Sequence, residues 1–421
     1  MCGIFGLINN NPDYNSGKIF KSLCLFSESR GKEASGFAVL KDTKIKVFKT
    51  PFAACEMVKN AVFKNEILKT YNKDDKGFAA IGHSRLVTNG YEQEENNNQP
   101  VVRNGYVVIH NGIIVNQKDL WRKYDREKKM SDLDSELIPV IIKNQTEKGS
   151  DVGIALGILF SEIYGMTNIA FISSSCYDLY LATNNGSVYY IDDLKNKFFV
   201  FASERFILQQ LIKKHKLPYS ADSIMQLEAN KQISLGLKGT NAKVDKIGNP
   251  ILNADVVSPP FEIVNLKSGT ESKNIYINTS LEHETRETDP RFVDVYESRK
   301  EEIDRLRRCT KCILPETFPF IEFDEKGVCN YCKNHKKHIP KGKEELIKVA
   351  DQYRSQYGRA ECLMPFSGGR DSSYALHYVV KELGLKPIAF SYDWGMLTDL
   401  ARRNQSRMCG KLGVEHILVS A

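Results

Sequence analysis

A cysteine at position 2 is the first residue with an evident chemistry. Its small size favours removal of Met1, which would leave Cys2 with a free α-amine. The thiol is then a nucleophile, and an α-amine of pKa ~7.7–8 can act as general base without a histidine. The alternative is an ordinary strand cysteine, since free cysteine is commonly buried. The residues that accompany Cys2 decide between these two interpretations.

Two Cys-x-x-Cys pairs are separated by sixteen residues. The four cysteines are Cys309, Cys312, Cys329 and Cys332. This spacing is typical of a site in which four thiolates close a tetrahedron around Zn²⁺, with no coordination position left open for catalysis. A redox-active Cys-x-x-Cys is the alternative, but the pair occurs twice and lacks a thioredoxin-like βαβ context. We therefore predict a structural zinc site that stabilises the fold of a segment too short to have its own core.

A glycine-rich turn joins a predicted strand at 361–366 to a predicted amphipathic helix at 372–383. Its sequence is Ser367-Gly368-Gly369-Arg370-Asp371-Ser372. The backbone N–H groups of such a turn, together with the positive end of the helix, favour binding of a pyrophosphate. The Gly-Lys-Ser/Thr ending of a Walker A sequence is absent, and a chance surface loop is the alternative. The strand–loop–helix context favours a phosphate-binding role.

The elements that must position these residues are those of a mixed α/β unit. Strands are predicted at 2–8, 36–40, 79–83, 106–110, 168–172, 179–183, 187–191 and 198–202, and helices at 135–148 and 152–164. Asn184-Asn185-Gly186 predicts a hairpin turn between two of the strands. Strands, then helices, then strands again favour sheets with helices packed on them over a doubly wound parallel sheet.

The composition of the 421 residues is that of an ordinary globular chain, with 42% hydrophobic and 26% charged residues. The net charge of +7 is mild and scattered, so it does not favour a nucleic-acid partner. The longest apolar run, 152–160, is too short for the ~20 residues of a membrane span. The amino terminus lacks the basic region of a signal peptide. We expect a cytoplasmic protein with no membrane contact, for which a homo-oligomer is a compatible assembly.

Several motifs follow Cys2 in a fixed order. They are Arg30-Gly31, Ser35-Gly36, Gly82-His83-Ser84-Arg85-Leu86-Val87-Thr88-Asn89-Gly90, Asn98-Gln99-Pro100, His110-Asn111-Gly112, Asp132-Leu133-Asp134-Ser135-Glu136 and Phe201-Ala202-Ser203-Glu204. Together they resemble the class II glutamine amidotransferase domain, an N-terminal-nucleophile hydrolase found in asparagine synthetase and glucosamine-6-phosphate synthase. Leu86 and Asn89 stand where the latter has Trp and His, which bears on the subfamily.

The resemblance implies a role for each matched residue. Cys2 attacks the glutamine side-chain amide, while the Asn111 amide and the Gly112 N–H form the oxyanion hole. Arg85 clamps the carboxylate of glutamine, and Asp134 pairs with its ammonium group. Thr88 and Asn89 line the glutamine pocket in this interpretation.

The carboxyl-terminal part resembles a second family. Ser-Gly-Gly-x-Asp-Ser is similar to the loop of the ATP pyrophosphatase (PP-loop) family, and the cysteine module with Asp-Trp-Gly-Met resembles N-acetyl sugar amidotransferases of bacterial surface-polysaccharide biosynthesis. The resemblance implies ATP with Mg²⁺ as substrate. The implied ATP-binding residues are Ser367, Gly368, Gly369, Asp371, Ser372 and Asp393.

The predicted fold is an α+β N-terminal-nucleophile hydrolase (αββα sandwich), followed by a small zinc ribbon and an incomplete α/β doubly wound (PP-loop, Rossmann-like) domain. We assign 2–240 to the glutamine amidotransferase domain, 241–304 to a linker with a short helix, 305–340 to the four-cysteine zinc module and 341–421 to the PP-loop domain. Such a domain needs ~100–150 residues, and only 61 follow residue 360, so we expect a truncated domain with an unpaired sheet edge.

The predicted function is that of a glutamine-dependent, ATP-driven amidotransferase whose partners are glutamine, ATP and a small-molecule acceptor. The acceptor predicted by the resemblance is an N-acetyl sugar that becomes an amidine. Amidation of a carboxylate, as in asparagine synthetase, uses the same early steps and stays open. Further alternatives are a zinc-ribbon PP-loop enzyme that modifies tRNA and a glutaminase with an inert carboxyl-terminal part.

Overall fold

The computed structural model describes residues 2–41, 43–69, 77–86, 90–193, 195–237, 242–251, 256–267, 290–356 and 358–420. The chain divides into two compact units. The first comprises Met1–Ser272 and Ala350–Ala421, and the second comprises Lys273–Val349. No helix among the described residues is long and apolar enough to cross a membrane.

Two sheets form the centre of the first unit. Their strands are β1 (Gly3–Asn9), β2 (Ala34–Lys41), β3 (Lys44–Thr50), β4 (Phe78–Arg85), β5 (Val101–Arg103), β6 (Tyr106–Gly112), β7 (Thr167–Ser173), β8 (Asp178–Thr183), β9 (Tyr189–Asp193), β10 (Phe198–Ala202), β11 (Met225–Gln226), β12 (Lys231–Gly236), β13 (Lys243–Lys246) and β14 (Glu262–Leu266). One sheet has the order β11-β9-β10-β1-β4-β2-β3-β14, and the other has the order β13-β12-β8-β7-β6-β5. All pairs are antiparallel except β14 with β3.

Helices cover the outer faces of both sheets. They are α1 (Ser16–Ser27), α2 (Ala54–Met57), α3 (Ala61–Phe63), α4 (Gln117–Lys123), α5 (Leu137–Glu147), α6 (Val152–Glu162) and α7 (Arg205–His215). The described residues of the sandwich also form short helical turns. These are 3₁₀ turns at Glu28–Arg30, Glu95–Asn97, Asp134–Glu136 and Ala221–Ser223 and a π turn at Lys64–Leu68. Side-chain oxygens of Asn15 and Asp151 cap α1 and α6.

The four layers confirm the predicted αββα sandwich. Alternate side chains of the two sheets, among them Ile4 and Ile81 from one and Val107 and Ile109 from the other, form a core between the sheets. A second core lies between α1, α7 and the eight-stranded sheet, and a third lies between α5, α6 and the six-stranded sheet. Each fully buried side chain of this kind contributes roughly 1.5–3 kcal/mol to the free energy of unfolding.

The predicted hairpin at 184–186 is wrong. β8 belongs to the six-stranded sheet and β9 to the eight-stranded sheet, so the chain crosses between layers at this point. The Asn184 side chain satisfies backbone groups at the crossing, because it accepts from the Thr167 N–H at 2.9 Å and donates to the Gly165 carbonyl at 2.8 Å. Side-chain capping therefore replaces the turn that the Asn-Gly step predicts.

The segment predicted as a linker, 241–304, is also different in the structure. β13 lengthens one sheet and β14 lengthens the other, so the sandwich continues beyond residue 240. β13 is short and mostly polar, and β14 is short and has no fully buried residue. Both strands lie at sheet edges, which explains why their hydrophobic pattern is weak. The rest of the linker, 268–289, lies outside the described residues.

The second unit carries the cysteine module. Its described residues begin with helix α8 (Pro290–Asp304), which lies in the segment where the sequence predicts a short helix. Isolated antiparallel bridges join Arg308 to Pro315 and Phe323 to Cys329. Helix α9 (Asn330–Asn334) follows, and the Cys329 sulfur at its N-cap accepts from the Cys332 N–H at 3.4 Å. Helix α10 (Lys343–Asp351) leads back to the first unit.

A small parallel sheet ends the chain. Its elements are β15 (Cys362–Pro365), α11 (Arg370–Lys381), β16 (Pro387–Asp393), α12 (Asp399–Leu412) and β17 (Glu415–Ser420). Strand order follows chain order, and α11 and α12 contact each other, so these three strands lack the reversal of a doubly wound sheet. Within the described residues, β15 and β17 pair only with β16.

Candidate active site

The Cys2 side chain lies in the middle of the eight-stranded sheet. It directly precedes β1, which pairs with β4 on one side and β10 on the other. Only 8% of Cys2 is exposed, and its Sγ donates to the Leu86 carbonyl at 3.5 Å. Burial raises the pKa of the Cys2 thiol, although the nearby Arg85 charge opposes this. A base must therefore take the proton before the sulfur can attack.

The second group of the site comes from the facing sheet. β6 ends at Asn111 and Gly112, where the Asn111 carbonyl accepts from the Asn168 side chain at 3.0 Å. The Asn111 side chain is fully buried, and neither its Nδ2 nor its Oδ1 has a hydrogen-bond partner in the part of the chain that the structure describes. A buried amide without a partner is costly unless a ligand satisfies it. It is therefore available for a hydrogen bond with a ligand.

A small cavity joins these two groups. Its volume is about 30 Å³, against the ~10–15 Å³ that one water molecule needs. The sandwich contributes Cys2, Leu86, Asn111, Gly112, Ile113 and Met166, and the carboxyl-terminal α/β part contributes Arg402, Gln405, Ser406, His416 and Leu418. Cys2 and the predicted oxyanion residues thus face a common space whose other wall comes from α12 and β17.

Buried polar groups hold the end of β6 in place. Gln99 accepts from the His110 N–H at 2.6 Å and donates to the His110 carbonyl at 3.2 Å. The Ser135 hydroxyl lies 2.9 Å from Nδ1 of His110. Burial lowers the pKa of His83 to about 3 and also lowers that of His110, so both rings stay neutral. These motif residues support the end of the strand.

Two of the four predicted glutamine-binding residues lie close to the nucleophile. Arg85, at the end of β4, donates to the Asn98 side chain at 2.9 Å and to the Gly90 carbonyl at 3.0 Å. Asp134 accepts from the Ile114 N–H at 2.7 Å. Both are almost fully buried, and neither lines the small cavity. The other two, Thr88 and Asn89, lie outside the described residues.

The glycine-rich loop has the expected strand–loop–helix context. It follows β15 and enters α11, whose N-cap residue Gly369 offers no side-chain cap. The Ser367 and Ser372 hydroxyls lie 3.0 Å apart, and the Gly369 N–H donates to Ser367 Oγ at 3.3 Å. The side chain of Asp371 is fully exposed. The first turn of α11 therefore leaves backbone N–H groups available to an anion.

The remaining predicted ATP-binding residue, Asp393, lies at the end of β16. It is buried, and its carboxylate accepts from Arg402 of α12 at 2.6 Å and from the Gly395 N–H at 2.9 Å. Parallel strands place their carboxyl ends at one edge of the sheet, so Asp393 and the glycine-rich loop share that edge.

The four predicted zinc ligands are brought together in the second unit. All four sulfur atoms lie within 4.8 Å of one another. The Sγ of Cys309 lies 3.9 Å from that of Cys332, and the Sγ of Cys312 lies 3.5 Å from that of Cys329. A tetrahedral zinc site with Zn–S bonds of ~2.3 Å has sulfur atoms ~3.8 Å apart, so the donor set fits this metal.

The sulfur of Cys309 is stabilised as a thiolate by backbone hydrogen bonds. It accepts from the backbone N–H groups of Lys311, Cys312 and Cys329 at 3.3–3.5 Å. Desolvation opposes the thiolate, but these hydrogen bonds outweigh it and lower the pKa of Cys309 to about 6. Such N–H···S bonds stabilise a thiolate of the kind that coordinates zinc.

Residues 83–210 match a family model described as a glutamine amidotransferase domain. The matched segment includes Arg85, Asn111, Gly112 and Asp134. The chain contains a glutamine amidotransferase domain.

The glutamine amidotransferase domain is also the part that curated relatives share. Glutamine–fructose-6-phosphate aminotransferase (isomerizing) of Staphylococcus aureus is 27% identical over 221 residues, which cover 51% of this chain and 34% of the relative. The Staphylococcus epidermidis protein of the same name gives the same values. The chain thus spans about a third of the length of these relatives.

Two solved structures are similar to this chain at lower identity. Glutamine phosphoribosylpyrophosphate amidotransferase from B. subtilis, complexed with ADP and GMP, has a TM-score of 0.44 at 20% identity and covers 60% of this chain and 50% of its own. A structure described as the allosteric regulatory enzyme of purine biosynthesis has a TM-score of 0.45 at 19% identity, with the same coverage.

Sequence reasoning missed the wall of the cavity that α12 and β17 supply. None of the motifs in the sequence assigns a role to Arg402, Gln405, Ser406 or His416. The pattern carried no signal for them, because Gln405 and Ser406 are polar residues on the buried face of α12, where an amphipathic helix has apolar ones.

Proposed function

We propose that this chain hydrolyses glutamine at Cys2 and delivers the ammonia to an acceptor that is activated with ATP. The single observation that carries the first half is the cavity shared by Cys2 and Asn111. Both residues are buried, and the Asn111 amide has no hydrogen-bond partner among the residues that the structure describes. The matched glutamine amidotransferase domain supports the same half.

The proposed glutaminase chemistry uses residues of the sandwich alone. After removal of Met1, the Cys2 α-amine takes the thiol proton, and the sulfur attacks the side-chain carbonyl carbon of glutamine. The carbonyl oxygen becomes an oxyanion that the Asn111 amide and the Gly112 N–H stabilise. The amine then protonates the leaving nitrogen, so ammonia departs and a thioester forms. Water hydrolyses the thioester to glutamate and restores the thiol.

Glutamine would be held by its own charged groups. The Arg85 guanidinium is suited to a bidentate contact with the carboxylate, and Asp134 is suited to the ammonium group. Asp134 also accepts from the Ile114 N–H, two residues beyond Gly112, so substrate binding and the oxyanion strand share a side chain. Thr88 and Asn89 are proposed to complete this pocket.

The second half is proposed for the carboxyl-terminal sheet. Ser367, Gly368, Gly369 and Ser372 would bind the phosphates of ATP, with Asp371 and Asp393 at the same edge for contacts to nucleotide or Mg²⁺. An acceptor oxygen would attack the α-phosphorus and release pyrophosphate. Ammonia would then add to the activated carbon and displace AMP.

We propose an N-acetyl sugar as the acceptor, which would become an amidine. Its support is the resemblance of the cysteine module and the glycine-rich loop to sugar amidotransferases. Zn²⁺ at the four cysteines would hold the fold of the second unit, because no coordination position remains for a substrate.

The experiment separates the two halves in the same chain. Cys2→Ala should abolish glutamate release from glutamine, while Cys55→Ala, a half-buried cysteine outside the cavity, should leave it unchanged. With ATP and a candidate N-acetyl sugar, the Cys2→Ala chain should still form product from added ammonium salt. Loss of both reactions in Cys2→Ala, with the fold intact, would contradict the division of labour.

A further inference from the structure

The hydroxyl of Ser406 on α12 bridges two backbone groups at the end of the ladder between β6 and β7. These strands pair as far as Gly112 with Thr167. At the next step the Ile113 N–H donates to the Met166 carbonyl at 3.1 Å. A hydrogen-bonded antiparallel pair exchanges two such bonds. Here the reciprocal bond runs through Ser406 Oγ, which accepts from the Met166 N–H at 2.7 Å and donates to the Ile113 carbonyl at 3.0 Å.

This contact lies one residue beyond the oxyanion hole. Ser406 is 2% exposed, and Met166 and Ile113 line the same cavity as Cys2. A direct bond between Met166 and Ile113 would draw the strand ends closer than the inserted hydroxyl allows. The serine therefore sets the spacing of the two strands at the point where the Gly112 N–H must face the substrate.

Helix α12 comes unusually close to this region. A Cβ on Gly410 would lie 2.5 Å from the Gly165 carbonyl oxygen and 3.0 Å from the Met166 nitrogen. Only glycine permits that approach without a shift of the helix. Ser406 and Gly410 are one turn apart, so a single face of α12 packs against 165–166.

The other contacts of α12 reach the glycine-rich loop. Gln405, the neighbour of Ser406, donates to the Phe366 carbonyl at 3.0 Å, and Asn404 donates to the Gly368 carbonyl at 3.4 Å. A Cβ on Gly368 would lie 2.6 Å from the Ala401 carbonyl oxygen in the first turn of α12. The loop and the oxyanion strand thus contact the same helix through adjacent residues.

We propose that Ser406 is a positioning residue for the oxyanion hole, and that α12 transmits displacements of the glycine-rich loop to it. This inference rests on the proposed glutaminase reaction at Cys2. The proposal predicts that substitutions in the glycine-rich loop, which does not contact glutamine, change the kcat of the glutaminase.

The first test measures kcat and KM for glutamate release by the full chain. Ser406→Ala should lower kcat about tenfold or more and leave KM for glutamine unchanged, since the oxyanion forms only in the transition state. Ser406→Thr, which keeps the hydroxyl, should restore most of kcat. The rate of Cys2 alkylation by iodoacetamide should not change, because that reaction forms no oxyanion.

Ser22→Ala is the matched control. Ser22 is buried and lies 2.8 Å from Nε2 of His215, far from the cavity, so its loss removes a buried hydroxyl contact without affecting the strand ends. Wild-type kcat in Ser406→Ala would overturn the proposal, as would a loss shared equally with Ser22→Ala. An inactive wild-type chain would instead contradict the proposed glutaminase.

The second test uses two glycines with the same backbone conformation. Gly368 has φ +78° and Gly384 has φ +64°, but a Cβ on Gly384 would meet nothing within 4 Å. Both alanine variants carry the same left-handed strain, and only Gly368→Ala pushes on α12. Glutaminase kcat should fall in Gly368→Ala and not in Gly384→Ala. Equal effects in the two variants, or none in either, would overturn the transmission through α12.

Discussion

The Asn111 side chain combines two properties that rarely occur together. Its backbone is fixed by the β6–β7 ladder and by Asn168, while its amide has no partner among the described residues. An unsatisfied buried amide costs roughly 1–3 kcal/mol of stability. That cost is consistent with a group whose hydrogen bond is reserved for a transition state.

Asn111→Ala should therefore separate stability from catalysis. We expect kcat for glutamate release to fall about 10²–10³-fold, the usual effect of removing one oxyanion-hole donor. The melting temperature should stay the same or rise slightly, because no native hydrogen bond of that side chain is lost. Steady-state kinetics and thermal melting of the same preparation test this.

Asn144→Ala provides the control, because Oδ1 of Asn144 is also buried without a partner among the described residues but lies on α5, away from the cavity. Similar kcat values for the Asn111 variant and the wild type would contradict the oxyanion role.

Motif residues could be predicted from the sequence because their chemistry depends on residue type and order. Cys2, Asn111 and Gly112 were found in that way, and the structure places them around one cavity. Ser406 could not be found, because a serine in a helix carries no signal until its partner strands are known. Its contacts join positions more than two hundred residues apart.

Among the elements, α12 is the clearest example of one whose packing could not be predicted from the sequence. Its buried residues are Gln405, Ser406 and Cys409, so polar residues interrupt the apolar stripe by which amphipathic helices are predicted. Strands of continuous apolar residues, such as β10, were predicted with their correct bounds. Edge strands such as β13 and β14 have side chains that are exposed or half-buried, and they depend on tertiary pairing.

The zinc module gives a prediction at this scale. We expect the purified chain to contain about one zinc ion, and Cys312→Ser to lose it, because a four-thiolate site needs every ligand. Chelation should make 305–340 sensitive to protease while glutamate release persists, since the metal is not part of the glutaminase. Elemental analysis and limited proteolysis measure these effects.

Cys55→Ser should retain the metal, because Cys55 lies outside the cluster. A metal-free wild-type chain, or glutaminase lost on chelation, would contradict a purely structural zinc site.

For the first unit as a whole, the junction between the sandwich and the carboxyl-terminal sheet contains a buried carboxyl group. Glu415 of β17 accepts from the Tyr189 hydroxyl at 2.5 Å, and Gln226 donates to it at 3.4 Å. Burial raises the pKa of Glu415 to about 7, and the Glu204 charge adds to this, while Tyr189 and the Arg30 charge oppose it. The carboxyl group is thus protonated below that pH.

This shift makes stability depend on pH. Between its ordinary pKa of 4.5 and the value of about 7, the folded chain holds a proton that the unfolded chain has lost. The contribution of Glu415 to the free energy of unfolding therefore falls as pH rises through this window, by up to about 3 kcal/mol. Glu415→Gln should remove that fall and gain stability relative to the wild type from pH ~5 to ~8.

Thermal melting across this pH range tests the prediction. Glu147→Gln, at a side chain that is 62% exposed, should follow the wild-type profile. A Glu415→Gln profile parallel to that of the wild type would show that the buried carboxyl group does not titrate in this window.

The most direct test of the central claim is covalent labelling with a diazoketone analogue of glutamine, followed by mass spectrometry of the amino-terminal peptide. We predict one label per chain, on the sulfur of Cys2, in a peptide that begins at Cys2, with protection by excess glutamine. Labelling of another cysteine, or no protection by glutamine, would contradict the assignment of Cys2 as the glutaminase nucleophile.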